Sequence, residues 1–395
     1  MTGLYPHQSG IIDNCDVGAS TQEYLPKSSI TWLDRRQESG RKTGYFGKWH
    51  LGLDWQSKET GVEFDICRIE SDRLKHETRI PEATVTERGQ LKNMQDPRSA
   101  KKSDDDYVPF YKKLDSIEKR FEYKVTKKTM EFLEKNRDKP WCVTASLVGP
   151  HFPNSNPEPF YIMYDTFQNK PWYQSRKWWP SIDTEYFDEH EWEKTIRAYY
   201  GSISLMDYFI GQILEKAKEC SGGRKTIVIF TSDHGEMLGN HGKFDKHAYC
   251  YEDVIRTPLL VCPDLKGEQE KNVCANNCNT LDIAQTFFEL AGCKCKNGRS
   301  LFKISEDKKE KKEDIYCNYY KYNGHSFEIR AIKEGNIKYS FIPQDIDELY
   351  DLSTDPNEMI NLSDDYLCDI LDFLPEAGTI GKPEYPALKK NYDNN

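Results

Sequence analysis

Four places along this chain hold residues able to bind an anion or move a proton. Lys48 and His50 stand two apart in GKWHLG at 47–52. On extended backbone, positions i and i+2 point to the same side, so an ammonium and an imidazole face one spot. Asp233 and His234 directly follow the run TIVIF at 226–230. A carboxylate and an imidazole at a strand's end make half of a divalent-metal site. His151 lies in GPHFP at 149–153, and Lys246 in the loop GNHGKFDKHAYCYED. Lysines and histidines gathered around a metal form an oxyanion clamp. They can neutralise charge on a tetrahedral anion as its ester bond breaks. Each residue also has a plainer reading. A histidine before Phe-Pro is commonly a loop residue, Asp-His-Gly can be a turn, and Lys246 has Lys243 close by as an ordinary surface charge. Taken singly, none decides the matter.

The elements that must position these residues follow from apolar patterning. Residues 29–40 read as a helix capped by Ser29 and closed by Gly40, and 42–46 as a short strand leading to Lys48. Residues 68–120 are polar and read as an insertion or surface loop. A helix is expected at 124–136, then a buried strand at 141–148 that ends at GPHFP. The Trp-, Tyr- and Pro-rich stretch 157–192 reads as a lid or loop over a cleft. Ile196, Tyr199, Ile203, Met206, Ile210, Ile213, Leu214 and Ala217 recur at helical spacing, so 195–218 is expected to be a long amphipathic helix. The run 226–230 is continuously apolar or β-branched and reads as a strand buried on both faces, as does 258–262. A helix follows at 282–292. Helix and strand alternate, the pattern of an α/β domain with a largely parallel sheet, and the polar residues collect where strands end. After a lysine-rich break at 306–313, the runs 315–320, 326–332 and 337–341 read as antiparallel strands. The expected division is a main domain over 1–305 and a small α+β subdomain over 306–395.

The 395 residues carry a net charge of −10. That balance gives no general attraction for nucleic acid or an anionic membrane, so an anionic ligand needs a local cationic pocket. No run of 18 apolar residues spans a membrane, and the opening Met1 to His7 does not read as a leader. The 12 cysteines are scattered, which favours a reducing compartment. Cys142 and Cys262 sit in apolar runs as small hydrophobes. Cys274, Cys278, Cys293 and Cys295 form a denser group. Their spacing is a weak zinc pattern, and free thiols or a local disulfide are the favoured reading.

The clusters also come in a familiar order. TGLYPHQSG at 2–10, TGYFGKWHLG at 43–52, GPHFP at 149–153 and TIVIFTSDHGEMLGNHG at 226–242 resemble the sulfatase family, within the alkaline-phosphatase-like superfamily. So do KHAYCYEDVIRTPLLV at 246–261, LDIAQTFFELAG at 281–292 and ELYDLSTDPNEMINL at 348–362. The resemblance implies an alkaline-phosphatase-like α/β fold acting on a sulfate ester of a small molecule or carbohydrate. By that resemblance Lys48, His50, His151 and Lys246 match sulfate-binding and acid/base residues. Lys48 and Lys246 grip sulfate oxygens, His151 or Lys246 protonates the leaving alcohol, and His50 helps expel sulfate. Asp233 and His234 match one pair of metal ligands, the metal being calcium, with magnesium or manganese as alternatives. His at 234 is similar to the branch with choline sulfatases, iduronate sulfatases and phosphonate monoester hydrolases.

One departure qualifies the reading. In the family a Cys-x-Pro-Ser-Arg motif, its first residue oxidised to formylglycine, comes just before the segment matching TGLYP, and an Asp-Asp pair on the first strand precedes it. These 395 residues contain no Cys-x-Pro-Ser-Arg, Cys15 sitting in NCDV, and no Asp-Asp pair stands ahead of TGLYP. The expectation is a fragment or a late start site rather than a decayed gene, because the remaining site residues are intact, and no appreciable turnover by the chain as given. The alternatives are a phosphonate monoester or phosphodiester hydrolase on the same fold and an inactive protein that binds sulfated ligands.

Overall fold

A computed structural model describes residues 1–12, 25–49, 51, 62–68, 111–166, 189–242, 245–246, 249–267, 272–306, 315–322, 325–343 and 346–363. His50, most of the 68–120 stretch and the 167–188 part of the expected lid lie outside the described residues.

The first five strands are β1 (Lys42–Trp49), β2 (Glu63–Arg68), β3 (Tyr111–Leu114), β4 (Trp141–Ser146) and β5 (Asn154–Pro157). β1 lies between β2 and β4 and runs parallel to both. It is longer than the expected 42–46 and carries Lys48 to its C-terminal end. Nearly every position of β1 is buried, as befits a parallel strand covered on both faces. Phe46 packs with Val125 and Phe132 of the helix Phe121–Lys135. On the other side Tyr45 and Trp49 pack with Leu25 and Leu33, the latter from the helix Trp32–Glu38. That helix starts later than expected because Thr31, not Ser29, closes a capping box: Asp34 accepts the Thr31 N–H at 2.8 Å and its own N–H donates to Thr31 Oγ1 at 3.4 Å. At Gly47, φ is +109° and a Cβ would meet the Ser146 carbonyl oxygen at 2.0 Å, so only glycine lets β1 approach β4 just before Lys48.

Other expectations need correction. β3, which pairs in parallel with β5, falls in the stretch read as a surface excursion. The long helix spans Glu189–Cys220, and its buried stripe runs through Ala198, Ser202, Leu205, Met206 and Phe209. Ile203 is 44% exposed, since it is turned about 100° from Ser202. The strands β6 (Val228–Thr231) and β7 (Leu259–Cys262) are not buried on both faces. They pair with each other, antiparallel. Ile229 and Leu259 pack against Ile283, Leu301 and Ile304 of the helices Thr280–Glu289 and Leu301–Glu306. Phe230 and Leu260, directly paired on the opposite face, remain 36% and 65% exposed. An apolar run demands cover but names neither its partner nor its direction.

The tail is an antiparallel sheet in the order β11–β10–β9–β8: β8 at Ile315–Tyr322, β9 at His325–Glu334, β10 at Ile337–Phe341 and β11 at Glu348–Asp351. It packs on the segment after Lys246. Cys250 enters its core beside Ile329, Ala331 and Ile342, and Tyr249, Tyr251 and Val254 meet Tyr350. No helix among the described residues is long and apolar enough to cross a membrane.

Candidate active site

Lys48, at the end of β1, reaches across to the turn after β6, where its Nζ donates to Asp233 Oδ2 at 2.8 Å. Asp233 is 62% exposed on its side chain, so solvent screens part of the attraction. Partial burial works against its ionisation, but Lys48 and then His234 outweigh burial and hold the carboxyl well below the usual carboxylate range.

His234 is oriented by its own turn. Nδ1 lies 2.7 Å from the Gly235 carbonyl oxygen, so the proton sits there and Nε2 keeps its lone pair. That Nε2 is buried without a hydrogen-bond partner and lies 3.7 Å from Asp233 Oδ1. Burial, followed by the positive charges of Lys246 and Lys48, lowers the imidazole's pKa despite the opposing Asp233, which favours the neutral ring. A neutral nitrogen and a carboxylate oxygen 3.7 Å apart can be spanned by two bonds of about 2.0–2.6 Å to one cation. The pair therefore fits half a divalent-metal site. Among the described residues no group of three His, Cys, Asp or Glu gathers for a metal. Among the described residues Cys274, Cys278, Cys293 and Cys295 do not gather into a ligand group; they are free cysteines, and Cys274, Cys293 and Cys295 donate to nearby oxygens.

His151 and Lys246 supply the other half of the cluster. His151 Nδ1 donates to the Phe152 carbonyl oxygen at 2.9 Å, leaving Nε2 to accept from Lys246 Nζ at 2.9 Å. Lys246 also reaches Asp245 Oδ1 at 3.3 Å. The rings of His151 and His234 stand 5.8 Å apart, centroid to centroid, and join the two halves. The loop bearing His151 is anchored from below by the fully buried pair Arg120–Glu122, at 2.9 Å. Glu122 accepts the Gly149 N–H at 2.7 Å, and Arg120 donates to the Ser155 carbonyl oxygen at 2.8 Å.

Five of the six candidates thus gather in one cluster, while His50 lies outside the described residues. Two members escaped the sequence reading. Asp245, 6% exposed and at φ +62°, links Lys246 to His151, whose Nε2 is 3.8 Å from Asp245 Oδ1. Glu236 accepts the Asp245 N–H at 2.5 Å, and burial together with Asp245 raises its pKa. The signal for both was adjacency: Asp245 precedes Lys246, and Glu236 stands two after His234.

Gly235 explains why the turn is so close to the next element. Its N–H donates to the Val254 carbonyl oxygen at 2.7 Å, and a Cβ would meet the Asp253 carbonyl oxygen at 1.9 Å. Gly235→Ala is therefore expected to cost about 1–3 kcal/mol. Chemical denaturation checks the stability, and loss of ligand binding beyond that cost reports displacement of His234.

A family model described as "Sulfatase" matches residues 1–293. The chain belongs to the sulfatase family. A second model, described as the C-terminal part of N-sulphoglucosamine sulphohydrolase, matches residues 239–372. Among curated sulfatases, the chain is 27% identical to a choline-sulfatase of Rhizobium meliloti over 57% of its own length and 47% of the relative's. It is 24% identical to an N-acetylglucosamine-6-O-sulfatase of Bacteroides thetaiotaomicron over 92% of its length and 72% of the relative's. The match spans about half the length of the first curated relatives. Among solved structures, the phosphonate monoester hydrolase of Agrobacterium radiobacter superposes with a TM-score of 0.68 at 19% identity. The superposition covers 94% of this chain and 82% of that one. The neighbours confirm the alkaline-phosphatase-like α/β fold. Sulfatases as a family work with a divalent metal, and this chain's Asp233 and His234 are chemically suited to contribute to such a site.

Proposed function

We propose that this chain carries the sulfate-binding site of a sulfuric ester hydrolase. The observation that carries the reading is the gathering of two lysine ammonium groups, the His151 imidazole and the open His234 Nε2 around Asp233. Lys48 and Lys246 hold the ester's sulfate oxygens by charge-assisted hydrogen bonds. In the resting pair the proton lies on Lys246 and the lone pair on His151 Nε2, so this couple delivers a proton to the leaving alcohol. His50 keeps its role in expelling sulfate as an expectation from sequence. Asp233 Oδ1 and His234 Nε2 would hold a divalent cation, read as calcium with magnesium or manganese as alternatives. Such a cation supplies Lewis acidity and net positive charge, because Lys48 and Lys246 are matched by Asp233 and Asp245. Formylglycine, the family's nucleophile, has no Cys-x-Pro-Ser-Arg counterpart in these 395 residues, so binding of the sulfate ester is the property that these residues' site is read by.

The ligand class is the sulfate ester of a small molecule or carbohydrate; the glucosamine sulfatase among the relatives supports the carbohydrate reading. A phosphonate monoester is the second reading, supported by the structural neighbour. Calorimetric titration with matched sulfate and phosphonate monoesters separates them. Tighter sulfate binding is expected, and tighter phosphonate binding would replace the first reading with the second.

A further inference from the structure

The loop that carries Lys246 ends inside the C-terminal sheet, where it meets β8 thiol to thiol. Cys250 Sγ lies 3.5 Å from Cys317 Sγ. Both are free cysteines, and they share a cluster with Ile329, Ala331 and Ile342. Each is held from behind. The Cys250 carbonyl oxygen accepts from Lys338 Nζ at 2.6 Å, and Cys317 is fixed opposite Ala331 in the β8–β9 ladder. A disulfide of about 2.05 Å requires the sulfurs, 3.5 Å apart, to come about 1.5 Å closer.

We propose that Cys250 and Cys317 form a thiol–disulfide exchange site that reversibly ties the Lys246 loop to β8. The two thiols are not equivalent. Cys250 is 6% exposed, whereas Cys317 is only partly buried. The hydrogen bond from Cys250, joined by the charge of Lys338 and opposed by burial, lowers the Cys317 pKa; the same hydrogen bond, with burial, raises that of Cys250. Cys317 is therefore the entering nucleophile. Its thiolate attacks one sulfur of a small disulfide RSSR, forms a Cys317–S–S–R mixed disulfide and expels RS⁻. Cys250 then loses its proton and attacks the Cys317 sulfur, forming the Cys250–Cys317 bond and expelling the second RS⁻. Both thiolates leave as thiols by taking up the two protons given up by the cysteines. The cysteine pair is oxidised by two electrons and RSSR is reduced by two.

The proposal rests on the fold and is independent of sulfate chemistry. Its test incubates the folded chain with oxidised glutathione, alkylates the remaining thiols and maps non-reduced peptides by mass spectrometry. The expected product is a peptide pair linked through Cys250 and Cys317, reversed by dithiothreitol and absent from Cys317→Ala. Full alkylation of both cysteines in the oxidised sample, or linkage appearing only after denaturation, would overturn the site. Hydrogen exchange tests the tie itself. Amides of 249–252 should exchange at least ~10-fold more slowly in the linked form, and unchanged exchange would overturn the coupling to the loop. The linkage and the exchange rates of the unsubstituted chain decide the proposal even where Cys317→Ala fails to fold.

Discussion

Lys246→Met is expected to weaken binding of a 6-O-sulfated N-acetylglucosamine by about 1.5–3 kcal/mol, roughly ten- to a hundredfold in dissociation constant. The size follows from where the ammonium sits. Its side chain is 13% exposed and already aligned between His151 and Asp245, so a sulfate oxygen gains a charge-assisted bond without first ordering a mobile lysine. Methionine keeps the aliphatic stem and removes only the charge. Asp245, 9% exposed on its side chain, then loses its lysine partner, which adds repulsion toward an anion. Lys113 is the control. It pairs with Glu158 at the surface, 56% exposed, and Lys113→Met should leave the affinity unchanged. Calorimetry of the three proteins decides the point, and equal affinities would remove Lys246 from the site.

The largest stability effect is expected from Lys338→Met. Lys338 lies on β10, 1% exposed, bonded to the equally buried Glu358 and 3.6 Å from Glu252 Oε1. Its Nζ also donates to the Cys250 carbonyl oxygen, while Glu358 accepts the Glu252 N–H at 2.7 Å. Lys333 pairs with Glu252 at 2.9 Å. These bonds tie the C-terminal sheet to residues 250–252, between Lys246 and the Val254 carbonyl that holds Gly235. Removing one partner of a buried pair leaves an uncompensated charge and costs about 3–5 kcal/mol. Glu358 gives the loss a pH signature. Burial, against Lys338, raises its pKa to about 7, above the ordinary carboxyl value of 4.5. A carboxyl with a raised folded pKa contributes stability that is complete below about 4.5 and is lost as pH rises through about 7. The penalty of Lys338→Met should therefore be largest above pH 7 and shrink toward pH 5, where Glu358 protonates. Urea unfolding at both pH values measures it, and Lys338→Met/Glu358→Gln should recover part of the loss. A penalty that does not vary with pH would contradict the assignment to Glu358.

The candidate site residues stood out because polar types stood where apolar runs stopped: Lys48 after TGYFG, His151 after WCVTASLV, Asp233 and His234 after TIVIF. The tail was legible for a similar reason, since aromatic and β-branched runs are separated by turns, one of them at Gly335 with φ +61°. What the sequence hid was mostly pairing. TIVIF requires cover, but nothing in its order says that β7 lies antiparallel beside it. Lys338 sits in an ordinary-looking strand, IKYSF, and its burial against Glu358 comes from residues 20 positions away. Asp245 was overshadowed by Lys246, although it is the carboxylate that joins Lys246 to His151.

The most direct measurement is the position of a sulfated monosaccharide in crystals of this chain. The account predicts sulfate oxygens within hydrogen-bond distance of Lys48 Nζ and Lys246 Nζ, with the sulfur between His151 and His234. A sulfate group bound elsewhere, with Lys48 still on Asp233 and Lys246 still on His151, would contradict it.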